Sequence, residues 1–358
     1  MADTYPTIRV AAVQAASVFL DRRATTEKAC RLIREAGQAG AKLIVFPEGF
    51  IPAHPLWYHH HVATSPKAMR MAGELFRNSV EIPGPVTEAL AAAAKDANAT
   101  VVMGVCEKRP NTMGTMFNTQ VFLGPDGTLL GKHQKIMPTV GERMVHAGGF
   151  GDTFGAVLTE FGPISALICG ENTNPLAIFA LAAEGTRVHA MSWPAYIGPQ
   201  AAPLRDVVEI KSRAFAAMAG AFVVSACGAL DAGTLSVLEV SADHEERLRN
   251  PLFTGGSMIV APNGKILAGP LGAEEGILYA DCDLSQIIST KMQQDLVGHY
   301  NRPDIFQLQL NRGAPKIYST YVNTESLGFI QAEAALAGPR AAPAMAPPAS
   351  KIEEMKED

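Results

Sequence analysis

The pattern of hydrophobic and polar positions predicts alternating strands and a helix near the start of the chain. Residues 7–14, TIRVAAVQ, form a short β-branched apolar run that predicts a buried strand. In residues 25–41 apolar positions recur every three or four residues, which predicts a helix, and residues 42–48, KLIVFPE, predict a second short strand. Strand, helix and strand joined by short connections indicate helices packed on a sheet.

Two later parts of the chain repeat one order of elements. Residues 88–108 predict a helix followed by a strand, and residues 117–135 predict a hairpin. Residues 210–230 and 257–271 repeat that helix, strand and hairpin. Each hairpin turns at an Asp-Gly or Asn-Gly pair, a strong hairpin signal because glycine adopts positive φ without steric cost. The repeat predicts two similar halves that share one core in a single large two-sheet domain.

Composition and charge narrow the classes of protein. Hydrophobic residues make up 47% of the 358 residues and charged residues 18%, which is typical of a globular chain. A net charge of −5 gives no electrostatic footprint for nucleic acid or an anionic membrane. The amino terminus lacks a signal-peptide pattern, and no apolar run reaches the length of a membrane span. Five scattered cysteines without CxxC spacing favour reduced thiols in a cytoplasmic protein.

The composition changes after about Ala332. Residues 332–358 are rich in alanine and proline and end in charged residues, so they predict a flexible carboxy-terminal tail. The folded domain is therefore predicted to span residues 1–331.

Three reactive side chains lie at the ends of predicted strands. Glu48 follows LIVFP, Lys135 follows TLLGKHQ, and Cys169 follows SALI. Glu142 lies seven residues after the lysine. Sites in layered α/β folds form where strands end, and a nucleophilic thiol needs a base and a group that stabilises developing charge. Packing or surface roles stay open for each residue alone, and the other four cysteines are interpreted as packing residues.

The run His59-His60-His61 raises the possibility of a metal site, but no further metal motif accompanies it. Adjacent residues point in different directions, and HExxH spacing is absent. We therefore predict no metal and expect the run at a pocket mouth or on the surface. The phosphate-binding pattern GxxxxGK[ST] and the serine-hydrolase pattern GxSxG are also absent.

The segments IVFPEGF, HQKIMPTVGER and CGENTNP resemble the Glu-Lys-Cys site of the nitrilase superfamily in order and flanking sequence. The resemblance runs over about residues 8–311. It is strongest to the nitrilase branch, because Gly170-Glu171-Asn172 follows the cysteine, whereas amidases and carbamoylases usually end this motif in Asp. The resemblance implies a four-layer αββα sandwich that hydrolyses an organic nitrile without metal or organic cofactor. It also implies homo-oligomers, from dimers to helical filaments, in which the tail can cross between subunits.

The roles carried over from the family fall on four residues. Glu48 would be the general base, Lys135 the cation beside the developing charge, and Cys169 the nucleophile. Glu142 would be an additional carboxylate that positions or assists the lysine and the water.

Five residues are predicted to contact the substrate. The aromatic side chains of Trp57, Tyr58 and Trp193 could line a pocket, although packing roles stay open for both tryptophans. Gly170 stands where many nitrilases have tryptophan and would leave room for substrate, with Glu171 beside it. Aliphatic nitriles, aromatic nitriles and arylacetonitriles all stay open as substrates.

Three other functions remain open. An amide or carbamoyl hydrolase could use the same three groups, and a cyanide-converting enzyme lies within the same branch. A non-catalytic assembly protein could retain the fold, but it would have no need for Glu48, Lys135 and Cys169 together.

Overall fold

A computed structural model describes residues 3–198, 201–314 and 316. Within these residues the chain forms twelve strands and eight α-helices. The strands are β1 (Thr7–Gln14), β2 (Leu43–Val45), β3 (Thr100–Lys108), β4 (Met116–Leu123), β5 (Leu129–Gln134), β6 (Val157–Thr159), β7 (Gly162–Ile168), β8 (Val188–Trp193), β9 (Phe222–Cys227), β10 (Met258–Val260), β11 (Ile266–Ala268) and β12 (Gly276–Asp283). The helices are α1 (Arg22–Gln38), α2 (Pro66–Asn78), α3 (Pro85–Ala97), α4 (Pro175–Ala183), α5 (Leu204–Ala219), α6 (Ala232–Leu238), α7 (Ala242–Arg249) and α8 (Gln286–Gln293).

The predicted tail, residues 332–358, lies outside the described residues, so its flexibility and the domain boundary at residue 331 stay predictions. Among the residues described, no helix combines the length and the apolar character needed to cross a membrane.

The strands form two six-stranded sheets of matching design. The first has the order β12-β1-β2-β3-β4-β5 and the second β11-β10-β9-β8-β7-β6. In each sheet three parallel strands, β1, β2 and β3 or β7, β8 and β9, are followed by an antiparallel hairpin. A further antiparallel strand, β12 or β6, closes the other edge. The two predicted halves are therefore confirmed.

The two sheets pack face to face with helices on their outer sides, because successive side chains of each strand point to opposite faces of its sheet. On β1, Val10 and Ala12 face the apolar core between the two sheets, whereas Ala11 and Val13 face the core beneath α1 and α3. Helices α4 and α5 cover the outer face of the second sheet in the same way. The αββα sandwich expected from the family resemblance is confirmed.

Individual elements follow the predicted pattern with local shifts. Strand β1 has the predicted bounds, but helix α1 begins three residues early because the Asp21 side chain accepts a hydrogen bond from the Ala24 N–H and caps it. Cys106 and Cys227 occupy matching places on β3 and β9, and both are fully buried. Their predicted packing role agrees with that burial.

Candidate active site

The reactive residues predicted from sequence meet at one cavity. Glu48 lies just beyond β2, and Cys169 directly follows β7, so both stand near the carboxyl ends of parallel strands. The Glu48 N–H donates to the carbonyl of Trp193 at the end of β8, 3.1 Å away, which joins the two sheets here. Both side chains line a cavity of about 220 Å³ together with Lys135, which follows β5, and Glu142.

One ammonium and one amide bridge the two carboxylates. Lys135 Nζ donates to Glu48 Oε1 at 2.7 Å and to Glu142 Oε2 at 2.6 Å. Asn118 Nδ2 donates to the Oε1 atom of each carboxylate, both at 2.7 Å. The charged side chains are at most 1% exposed, so their geometry is fixed by these contacts rather than by water.

Asn118 was missed in the sequence analysis. It lies on β4, in the run MFNTQVFL, where every residue is buried. A polar residue in such a run needs a buried hydrogen-bond partner, and that requirement was the available signal.

Burial and mutual charge set the protonation of this cluster. Burial raises the pKa of Glu48 to about 7, with Glu142 adding to the shift and Lys135 opposing it. Burial opposes the charge on Lys135, but the two carboxylates outweigh it and raise the pKa of Lys135 well above its ordinary value. Burial also favours the neutral acid at Glu142, yet Lys135 and His146 hold the pKa of Glu142 well below its usual range. An ionised Lys135–Glu142 pair thus lies beside a carboxyl group poised near neutral pH.

The thiol is protonated in this environment. Burial raises the pKa of Cys169 well above its ordinary value, and the nearby charge of Glu48 adds to the shift. A neutral thiol is a weak nucleophile, so attack requires a base that removes its proton. Glu48, with a pKa of about 7, matches that requirement near neutral pH.

Two buried histidines lie beside the carboxylates, and the sequence pattern singles out neither. His54 Nε2 lies 3.1 Å from the Tyr58 hydroxyl, and its Nδ1 lies 3.8 Å from Glu48 Oε1. Burial lowers the pKa of His54 well below its ordinary value, so the ring is neutral. His146 Nδ1 lies 3.2 Å from Glu142 Oε1. The hydrogen bond of His146 therefore holds Glu142, whereas His54 lies beside Glu48 without a hydrogen bond to it.

The three predicted aromatic contacts separate. Tyr58 lines the reactive cavity, but Trp57 and Trp193 are each 1% exposed and are not among its lining residues in the described ranges. The 3-10 turn Leu56–His59 directs Trp57 inward, where it packs edge-on against Phe19 with ring centroids 6.3 Å apart. Trp193 lies in the core between the second sheet and its helices. Both tryptophans are therefore packing residues, the role that the sequence had left open for them.

Gly170 and Glu171 were predicted to contact the substrate. They line a neighbouring cavity of about 370 Å³ and not the reactive one. A β-carbon at Gly170 would lie 3.1 Å from Thr139 Oγ1, so Gly170 allows close approach of that side chain. Both carboxylate oxygens of Glu171 accept hydrogen bonds from the protein.

The histidine run diverges at the end of the 3-10 turn. His59 lines the reactive cavity, the His60 ring stacks with Tyr196, and His61 Nε2 lies 2.7 Å from the Leu238 carbonyl oxygen. The run was predicted at a pocket mouth or on the surface: His59 lies at the cavity, and His60 and His61 are half-buried away from its lining residues in the described ranges.

A convergent set of possible metal ligands occurs elsewhere, in the reactive cluster. Ligand atoms of Glu48, His54 and Glu142 lie within 4.8 Å of one another. The Lys135 ammonium, however, bonds both carboxylates and supplies the cation at this point. The donor set therefore fits a lysine better than a metal ion.

The sequence and fold of the chain are similar to those of known carbon–nitrogen hydrolases. Residues 9–292 match the family model described as carbon-nitrogen hydrolase. A protein named nitrilase 2, from an unknown prokaryotic organism, is 35% identical over 308 residues, which cover 85% of this chain and 93% of that protein. A bifunctional nitrilase/nitrile hydratase of Lupinus angustifolius is 36% identical over 311 residues, covering 85% of this chain and 86% of that protein.

The fold is also similar to that of a solved structure. The crystal structure of Saccharomyces cerevisiae Nit3, a member of branch 10 of the nitrilase superfamily, matches with a TM-score of 0.62 at 22% identity. The match covers 83% of this chain and 97% of that one. At this identity the likeness concerns the fold alone.

Proposed function

This chain belongs to the carbon-nitrogen hydrolase family, as its motifs predicted, and we propose that it is a nitrilase that converts an organic nitrile to the carboxylic acid and ammonia. One observation carries the proposal. The Lys135 ammonium lies between the Glu48 and Glu142 carboxylates in the cavity that contains the Cys169 thiol. Similarity over most of the chain to relatives that are named nitrilases supports the choice of a nitrile as substrate.

The first step forms a covalent thioimidate. Glu48 accepts the thiol proton of Cys169 while Sγ attacks the nitrile carbon, and one C–N π bond becomes a lone pair on nitrogen. Glu48 passes the thiol proton on to that nitrogen, so the thioimidate carries C=NH and Glu48 is again a carboxylate. Lys135 stabilises the developing negative charge as a preorganised donor, an effect that is strong in a dry site.

Water then resolves the intermediate in one of two ways. Glu48 deprotonates a water that adds to the C=NH carbon and gives a tetrahedral intermediate with OH, NH2 and sulfur on one carbon. Loss of ammonia leaves a thioester of Cys169, which a second water converts to the acid and free thiol. Loss of the thiol instead releases the amide, so we propose a minor amide product.

The cavity favours an uncharged organic group on the nitrile. Its wall beyond the reactive residues includes four apolar side chains: Val140, Pro194, Ile197 and Ala201. Lys135, the lysine among the described lining residues, is already paired with two carboxylates, so among these residues an anionic substituent would meet no unpaired lysine or arginine. A volume of about 220 Å³ exceeds what cyanide alone needs, which supports an organic nitrile over a cyanide-converting activity.

Ammonia release from phenylacetonitrile and from phenylacetamide separates the proposal from an amide hydrolase. We expect the nitrile to yield ammonia and acid faster than the amide does, with Cys169→Ala inactive on both. Release from the amide alone would refute the proposal. A folded Cys169→Ala variant with near wild-type turnover would refute the nucleophile assignment.

Self-association remains part of the proposal. Exposed apolar side chains on α4 and α5 support it: Leu176, Ile210 and Met218 are between 40% and 69% exposed. Light scattering should give a mass above that of one chain. A monomer at micromolar concentration would contradict self-association without bearing on the chemistry.

A further inference from the structure

The turn that carries the nucleophile holds Cys169 in a conformation that residues with side chains rarely adopt. Its φ is +50°, in the left-handed region that favours glycine. Such a conformation persists only where surrounding contacts maintain it. The contacts beside Cys169 therefore determine where the thiol lies.

Glu171 makes contacts on both sides of the reactive cluster. Its Oε2 accepts a hydrogen bond from the Ile168 N–H at 2.9 Å, and its Oε1 accepts one from the Ile136 N–H at 2.7 Å. Ile168 precedes Cys169 and Ile136 follows Lys135. One carboxylate thus ties the residue before the nucleophile to the residue after the lysine.

A buried histidine fixes this carboxylate in turn. His133, on β5, places Nε2 2.9 Å from Glu171 Oε2, and the two side chains are 2% and 4% exposed. Both oxygens of Glu171 are therefore occupied by protein donors. Within the described part of the chain, Glu171 lines the neighbouring cavity and not the reactive one, and its carboxylate is held by the protein.

We infer that Glu171 is a positioning residue that fixes Cys169 relative to Lys135. The inference rests on the proposed function, since it concerns the same reactive groups. Asn172 differs in reach: its Nδ2 donates to the carbonyls of Leu167 at 3.2 Å and Cys169 at 3.1 Å, so these contacts hold the nucleophile turn alone. Glu171 joins that turn to the segment that carries the lysine.

Glu171→Gln tests the inference with almost no change of shape. The amide NH2 replaces one acceptor oxygen, so one of the two backbone N–H groups loses its partner. We expect kcat to fall about 100-fold, the effect of displacing reacting groups by about 1 Å, with KM nearly unchanged. A raised KM with wild-type kcat would overturn the inference and indicate substrate binding.

Alkylation of Cys169 by iodoacetamide adds a readout that needs no carbon–nitrogen substrate. The rate should fall about tenfold or more in Glu171→Gln, with Cys169→Ala giving the background from the other thiols. If the wild type is alkylated rapidly but hydrolyses no nitrile, the proposed function fails while this comparison still stands. An unchanged alkylation rate in Glu171→Gln refutes the inference whatever the substrate.

Two further variants complete the design. Glu184 Oε2 also accepts a hydrogen bond from a backbone N–H, that of Ala156, but outside the reactive cluster, so Glu184→Gln should change neither rate. If Glu171→Gln does not fold, His133→Leu removes one donor to the carboxylate and keeps both backbone contacts. It should lower both rates by a smaller factor, and wild-type rates in this variant would contradict the inference.

Discussion

Replacing Glu142 by glutamine should move the acid limb of the pH–rate profile to lower pH. Asn118 Nδ2 lies 2.7 Å from one oxygen of Glu48 and 2.7 Å from one oxygen of Glu142, so these oxygens are at most about 5.4 Å apart. Two unit charges at that separation repel by about 3 kcal/mol at an effective dielectric constant of 20. This energy equals about two pKa units. The pKa of Glu48, raised to about 7 in the wild type, should therefore fall to about 5 in Glu142→Gln.

The sign follows from the role of Glu48. It must be ionised to accept the thiol proton, so kcat/KM should fall tenfold for each pH unit below its pKa. With Glu142 neutral, the carboxylate of Glu48 persists to lower pH. The profile should also drop in height, since Lys135 loses a charged acceptor, but the position of the limb is independent of the height.

The assay is kcat/KM for one nitrile between pH 4.5 and 9. Glu160→Gln is the matched control, because it removes a carboxylate from an exposed position and should leave the limb near pH 7. If the acid limb of Glu142→Gln stays at the same pH or moves to higher pH, the charge of Glu142 does not raise the pKa of Glu48 and the prediction is wrong.

Substitutions at two positions, Cys169 and Gly104, test the backbone around the site. Cys169→Gly and Cys169→Ala should both be inactive. Because φ is +50° here, the free energy of unfolding in urea should be about 1 kcal/mol larger for the glycine variant than for the alanine variant. An alanine variant of equal or greater stability would contradict backbone strain at this position. Gly104→Ala should lower kcat about 100-fold, since its β-carbon would overlap the carbonyl oxygen of Pro47 and displace Glu48. Gly114→Ala, which meets open space, should have wild-type kcat, and equal rates in the two alanine variants would refute the displacement.

The sequence predicted what depends on local pattern and on motifs. The apolar run of β1, the two glycine hairpins and the repeated halves follow from periodicity and turn chemistry, and they match the structure. The contacts of Asn118 could not be predicted, because they join it to Glu48, 70 residues away, and to Glu142, 24 residues away, and no local period encodes such separations. The orientation of Trp57 was equally hidden, since a short 3-10 turn decides which of its aromatic residues reaches the core and which reaches the cavity. Glu171 was predicted to contact the substrate from its position in the motif. In the structure its oxygens instead accept hydrogen bonds from two backbone N–H groups and from His133.

The arrangement of charges explains how so polar a site remains buried. Isolated charges in an apolar interior are costly, yet Lys135 is paired twice and each carboxylate accepts at least two hydrogen bonds. In the proposed reaction, a proton passes from Cys169 to Glu48 and onward to the substrate nitrogen, while the total charge of the site stays constant. Lys135 uses two of its three N–H groups on the carboxylates, so the donor that stabilises the transition state is already fixed in place before substrate binds. This is the condition under which fixed dipoles and charges accelerate a reaction most. A neutral nitrile suits such a site, because it brings no charge of its own into the cavity.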